Sequence, residues 1–355
     1  MAIAASGAVS FSDLRTEYSA SGAVSFSDFY RGAASGYVRA LAANNTATNL
    51  SAGVPASGTI NFTNFRSQAR GFRFTFTSGA TDQNASALFG TDWGVDYPKD
   101  IIINSGVTLG GTSASEEALE ISTGGLGTIT VTNNGTLVGA GGAANGGSGG
   151  DAFEAFVTCT LVNNGSILAG GGGGAKGGTG GTGGGGSYTS TSSTQYTWCG
   201  PYSVGCSQSG TSCGSCSRTQ CYASTSCNSG NGMRYYYTCA CSSTTNTNGG
   251  AGGAGGNGGV GAGYNQTVTN GAGGATGANG GTNAGTGGTG GTGGNGGGYG
   301  SNGGSGANGA NGANGNRTNG AAGAAAGSAG AAGKAIRGTS FATVTNNGTI
   351  TGGQV

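Results

Sequence analysis

The 355-residue chain contains 86 glycines, 7% charged residues and no histidine, with a formal net charge of +1. About a quarter glycine, against a usual ~7%, is incompatible with one ordinary core for the whole length. The lack of histidine removes the commonest general base and the usual catalytic triads. The acid-free stretch 155–355 carries only Lys176, Arg218, Arg234, Arg317, Lys334 and Arg337, too dilute for a nucleic-acid groove but favourable toward an anionic surface.

The opening MAIAASGAVSF has no basic leader and no long apolar run. The expectation is synthesis in the cytoplasm without a signal peptide and no membrane insertion. Three related phrases follow: SGAVSFSDLR at 6–15, SGAVSFSDFY at 21–30 and SGTINFTNFR at 57–66. Each reads as a short strand-turn-helix unit, with Ser12, Ser27 or Thr63 as the expected helix N-cap. Units this small need packing on one another or on a partner, so residues 1–71 are taken as one N-terminal segment. This is the only place where helix is expected.

From Phe72 the period changes to two. FRFTFTS places Phe72, Phe74 and Phe76 on one face of a half-buried strand. A phrase then recurs: IINSGVTLGG at 102–111, VTNNGTLVGAGG at 131–142, LVNNGSILAGGG at 161–172 and VTNNGTITGG at 344–353. Asn-Gly between β-branched runs signals hairpins because both residues tolerate positive φ. Recurrence at intervals equally suggests solenoid rungs. A mainly β platform over 72–169 is expected, which residues 336–355 return to complete after a long excursion.

That excursion contains the glycine tracts 170–186 and 249–335. Stretches such as GGAGGAGGNGGVGAG and GANGANGANG keep glycine at every third position, the period of the extended left-handed helix of polyproline II and collagen. None of the three prolines lies in these tracts, so collagen is not expected. Glycine at each third site lets such helices lie side by side with amides bonding between neighbours. A packed polyglycine-II-type block is predicted, in which fifteen residues span roughly 45 Å.

The excursion is interrupted at 187–248 by a segment of different composition. It holds Cys199, Cys206, Cys213, Cys216, Cys221, Cys227, Cys239 and Cys241, eight tyrosines or tryptophans, and almost no aliphatic side chains. A segment without a core needs staples. Eight cysteines suggest disulfides whose connectivity the sequence leaves open. Cys213 and Cys216, two residues apart, also permit zinc, but no second such pair accompanies them. Cys159, in the apolar FVTCTLV, is expected to be a small buried hydrophobe. The Tyr, Ser, Gly, Asn and Thr of this insert resemble the composition of an antibody combining site and suit sugars.

Enzymatic chemistry is not expected. The candidate carboxylates are Asp82, Asp92, Asp96, Asp100, Glu116, Glu117 and Glu120. All fall in turn-rich sequence, and no carboxylate follows Glu154 to complete a glycosidase pair. Glu116 and Glu117 offer at most weak cation binding. No cofactor and no metal site is predicted.

The SGAVSFSD phrases resemble the N-terminal segments of structural proteins of marine and cyanobacterial tailed phages. The NNGT phrases followed by glycine-rich runs resemble tail-fibre and tail-tip adhesins of the T-even type. In that family, packed polyglycine helices form a rigid block whose loops bind the host receptor. The resemblance implies a virion tail protein that recognises the host surface. Residues 1–71 would bind other tail proteins, and the partner at the other end would be a host glycan or outer-membrane receptor. A homo-oligomer such as a trimer is also open. The expected receptor-binding residues are Tyr196, Trp198, Tyr202, Arg218, Tyr222, Arg234, Tyr235, Tyr236 and Tyr237. The alternatives are a purely structural baseplate or head-fibre component, with the cysteine-rich insert as an inter-subunit clasp, and an ice- or wall-associated protein.

Overall fold

A computed structural model describes residues 3–201, 213–226, 232–264 and 266–355. The three opening phrases form an α-helix, Phe11–Glu17, and two 3-10 turns, Phe26–Phe29 and Phe62–Phe65. The N-caps are Ser10, Ser25 and Asn61, two residues before the expected Ser12, Ser27 and Thr63. The reason lies three residues downstream. The backbone N–H of Ser10 donates to the Asp13 carboxylate at 2.7 Å, Ser25 to Asp28 at 2.7 Å, and Asn61 to the Asn64 carbonyl at 2.8 Å. Ser12, Ser27 and Thr63 have Arg15, Tyr30 and Arg66 at that spacing and lack such an acceptor. Leu14, Phe29 and Phe65 turn inward and are fully buried with Tyr18, Val38 and Val54.

A three-sided β-solenoid follows. One side stacks, in order, Thr48–Asn49, Phe72–Phe76, Lys99–Ile103, Ile129–Asn133, Cys159–Asn163 and Ala342–Asn346. The second side is built from Ala80–Thr81, Thr108–Gly110, Thr136–Val138, Ser166–Leu168 and Thr349–Thr351. The third comprises Gln83–Asn84, Leu119–Ile121, Phe153–Ala155, Lys334–Arg337 and Gly353–Gln354. Apart from the antiparallel Thr48–Asn49, neighbouring strands on these sides run parallel. Like residues therefore stack from rung to rung: Ile101 on Val131, Val131 on Leu161, Leu161 on Val344. Leu109, Leu137 and Ile167 fill the core from the second side, and Leu119, Phe153 and Ile336 from the third. One further short helix, Ala85–Phe89, packs onto this core.

The NNG phrases are corners between the first and second sides; the chain does not fold back as a hairpin there. Asn133 and Asn163 are completely buried. Gly135, Gly165 and Gly348 keep negative φ, so glycine is needed for closeness rather than handedness. A methyl group on Gly165 would run into the Gly135 carbonyl, and one on Gly348 into that of Gly165. Lys99 is also inside the stack, where its ammonium donates to the carbonyls of Val95, Tyr97 and Leu126 at 2.7, 3.0 and 2.6 Å. Burial brings its pKa down to about 8, while Asp92 and Asp96 favour the charged form.

The glycine block grows out of the corner between the second and third sides. The fourth rung leaves at Leu168 and resumes at Lys334. In between, six extended runs cover 170–186, 248–262, 269–281, 284–298, 301–316 and 318–333, bonded through backbone amides at every third residue. The first run is central. Gly174, Gly177, Gly180 and Gly183 donate to Gly259, Gly256, Gly253 and Gly250 of an antiparallel neighbour at 2.8 to 2.9 Å. Gly178, Gly181 and Gly184 donate to Ala307, Ala310 and Ala313 of a parallel one at 2.8 to 2.9 Å. Its own carbonyls accept from the runs 284–298 and 318–333. Two of every three positions face a neighbour so closely that a Cβ has no room: at Gly177 it would meet the Gly291 carbonyl, at Gly178 that of Ala324. The third position, Lys176, Thr179 and Thr182, is exposed.

Candidate functional site

The runs turn at two ends. One end faces the solenoid. At the other lie the turns 281–284 and 315–318 and the two ends of the insert, Gly186 and Thr247. The insert is a three-stranded antiparallel sheet, with Gly232–Thr247 between Gly186–Pro201 and Ser217–Ser226. Strands of sixteen residues extend about 50 Å. Its base is clamped. The Asn316 carbonyl accepts from Ser187 N–H at 2.8 Å, while the amides of Asn316 and Asn283 donate to Ser187 O at 2.9 and 3.1 Å. Thr247 donates to the Thr282 carbonyl at 2.7 Å. Asn283 adopts φ 60°, one of the few non-glycine residues in the left-handed region and one that tolerates it.

Hydroxyls pair across the lower strands: Ser190 with Ser243 and Thr191 with Ser242, both at 3.0 Å. Higher up, aromatic rings replace them. Tyr196 stacks on Tyr237 with centroids 5.5 Å apart, Trp198 lies on Tyr235 at 5.6 Å, and Tyr222 stacks on Tyr236 at 5.6 Å. Because side chains alternate along a strand, Tyr196, Trp198, Tyr235 and Tyr237 share one face. Tyr222 and Tyr236 occupy the other, together with Arg234.

Tyr196 and Tyr222 are 47% and 54% exposed. Trp198, Tyr236, Tyr237 and Arg234 are half-buried, and Arg218 is exposed. Tyr235, only 3% exposed, lies beneath the surface it was expected to form. Tyr202 lies outside the described residues.

Disulfides hold this sheet together. Cys213 is bonded to Cys239 and Cys216 to Cys241, which ties the turn before Ser217–Ser226 onto the central strand. Sulfurs joined pairwise are not thiolate donors, so the Cys213/Cys216 pair offers no zinc site. Cys199 and Cys221 are also disulfide-bonded. Cys206 and Cys227 lie outside the described residues. Cys159 is a free, buried thiol in the solenoid, its pKa pushed up to about 11 by burial.

Asp82, Asp92, Asp100 and Glu120 are engaged by neighbouring groups. Asp92 is buried against Arg39 and the amide of Asn45, Asp100 pairs with Arg73 at 2.8 Å, and Asp82 holds Thr112. Glu120 accepts from Asn84 at 2.9 Å. Glu117 is raised to about 7 by burial first, then by the charges of Glu154 and Asp151. Arg337 bridges those last two residues.

Residues 71–242 match the model of a protein family described as phage tail fibre adhesin Gp38. This stretch takes in the solenoid strands from Phe72 to Leu168, the central glycine run and most of the distal sheet. Residues 71–242 are a Gp38 adhesin domain. This domain is that of a receptor-binding adhesin of a phage tail fibre, a family of structural adhesins rather than catalysts. No curated protein and no solved structure matches the chain.

Sequence reading did not identify the clamp residues Asn283 and Asn316 or the turn residue Arg317. The signal was present: GTNAG and GNRTNG break the three-residue glycine period at 281–285 and 315–320, and such breaks mark the turns between runs.

Proposed function

We propose that the distal sheet is the surface through which this adhesin meets its receptor, a glycan or an outer-membrane protein on the host. The observation that carries the reading is the pairing of aromatic rings on both faces of a sheet clamped at its base to a rigid block. Stacked tyrosines offer flat, amphipathic area at little cost in side-chain entropy. The surrounding hydroxyls offer adaptable hydrogen bonds. No acidic residue lies in the insert, and Arg218, Arg234 and Arg317 give the distal end a positive character suited to an anionic envelope. Tyr196, Trp198, Tyr222, Tyr236 and Tyr237 are the contact residues, and Tyr235 supports Trp198 from below. Residues 1–71 join the adhesin to the rest of the tail.

The sheet's base is its point of attachment, and its exposed rings lie higher up. That arrangement favours adhesion over the inter-subunit clasp. The test is adsorption of particles carrying Tyr196→Ala and Tyr222→Ala, one ring from each face. Adsorption should fall while the yield of intact particles is unchanged. Unchanged adsorption would remove both rings from the contact.

A further inference from the structure

The two outer strands of the distal sheet differ in how they end it. Ser217–Ser226 is ten residues long, carries Arg218, and slips register with the central strand twice, between Arg218 and Gln220 and between Ala223 and Thr225. Shortness, charge and bulges keep a sheet edge from pairing with another chain. Gly186–Pro201 has none of them. Its sixteen residues stay in unbroken register with the central strand, none is charged, and the only proline is the last residue.

The clamp at the base shows which backbone groups this edge offers. Asn316 Oδ1 accepts from the Ser187 N–H, and Asn316 Nδ2 donates to the Ser187 carbonyl. One carboxamide thus bonds Ser187 as a peptide of a neighbouring strand would. The backbone of Ser187 therefore bonds away from the central strand. Alternation along an antiparallel strand turns the N–H and C=O of Thr189, Thr191, Ser193, Gln195 and Thr197 the same way. Among the described residues, nothing bonds these ten groups.

We infer that the Gly186–Pro201 edge receives an extended, acidic segment of a host outer-membrane protein as a fourth strand. The inference rests on the reading that the distal sheet meets the receptor, and it narrows that receptor to a protein bound through its main chain. The free donor and acceptor pairs recur every two residues, about 6.8 Å apart, a spacing complementary to another polypeptide backbone. Strand addition draws affinity from these main-chain bonds and specificity from the flanking side chains, here the exposed Tyr196 on one face and the hydroxyls of Thr189, Thr191 and Thr197 on the other. Charge separates a host segment from a second copy of this chain. Two copies joined edge to edge would bring together two distal ends that carry Arg218, Arg234 and Arg317 and no acidic residue, whereas an acidic segment is drawn to that charge.

The experiment is hydrogen exchange at single residues of the full chain, alone and with outer-membrane vesicles of the host to which the particles adsorb. On vesicles, exchange at Thr189, Thr191, Ser193, Gln195 and Thr197 should slow by about tenfold or more. Ser190, Ser192 and Thr194, whose amides already bond the central strand, should not change. Shaving the vesicles with proteinase K should abolish the slowing. Vesicle binding through the distal sheet with the five outward amides still exchanging freely would overturn the strand addition and leave contact through the rings standing. Slowing on shaved vesicles, or in concentrated adhesin without vesicles as a second copy would produce, would overturn it equally. Absence of vesicle binding, or binding undiminished in a chain lacking residues 187–247, would overturn the receptor reading and the added strand together.

Discussion

The side-chain amide of Asn163 donates to the carboxamide oxygen of Asn346 at 2.7 Å, across 183 residues of intervening chain. Asn133 donates to Asn163 in the same way at 2.8 Å, so one ladder of amides, buried at Asn133 and Asn163 and exposed at Asn346, joins three rungs. The glycine block is thereby inserted into a rung that closes on both sides of it, with the distal sheet at its far end.

Breaking this ladder should loosen the platform. Asn163→Ala removes both amide–amide bonds of the ladder and leaves the buried Asn133 amide only the Ser166 carbonyl as acceptor, and each hydrogen bond lost in this way costs about 0.5–1.5 kcal/mol. Thermal unfolding should show a lower midpoint for Asn163→Ala, whereas exposed Thr345→Ala should sit near the wild type. Equal midpoints for the two variants would contradict the ladder's role.

The glycine block should tolerate side chains at one position in three. Gly177→Ala drives a methyl into the Gly291 carbonyl, and overpacking of this kind costs about 1–3 kcal/mol or more. Thr179→Ala lies on the exposed line and should be neutral. Hydrogen exchange gives the same test without mutation: the amides of Gly174, Gly177, Gly180 and Gly183 are bonded between runs and should be strongly protected. Coil-like exchange at those four would refute the packed block.

Stability should depend on pH through Glu117. Its folded-state pKa of about 7 lies above the ordinary 4.5, so the folded chain retains a proton that the unfolded chain has released. Stability is then greatest below about 4.5 and declines as pH rises toward about 7, above which it levels off. Glu117→Gln should remove that part of the slope and raise the melting midpoint at neutral pH. A variant with the wild-type pH slope would show that Glu117 titrates normally.

Reduction should act locally. The distal sheet has almost no aliphatic residues, and Cys213–Cys239 and Cys216–Cys241 each close a loop of about 25 residues, which constrains the unfolded segment by roughly 3 kcal/mol. Dithiothreitol should expose residues 213–241 to protease and lower adsorption, with the solenoid's melting transition unmoved. Loss of both together would show that the sheet and the platform unfold as one unit.

Periodicity revealed most of the architecture. Phe72, Phe74 and Phe76 announced a strand, glycine at every third position announced the packed runs, and VTNNGTI after the excursion announced the return to the platform. The local reasons were harder to see. Asn-Gly signals positive φ in isolation, yet Gly165 serves to let one corner approach the next, which depends on a neighbour 30 residues away. Ser12 resembles an N-cap until Asp13 is recognised as the partner of Ser10. At the distal sheet, composition picked out the aromatic residues, but only strand register separates exposed Tyr196 and Tyr222 from buried Tyr235. The clamp at Asn283 and Asn316 joins residues about 100 and 130 positions from Ser187, beyond the reach of local pattern.

The central claim is that the distal sheet makes the contact with the host. The most direct measurement is the adsorption rate of particles in which residues 187–247 are replaced by a short glycine turn, with the clamp residues Asn283 and Asn316 left in place. The account predicts normal particle yield and adsorption reduced by at least thirtyfold, the equivalent of about 2 kcal/mol at a binding anchor. Adsorption at the wild-type rate by these particles would contradict it.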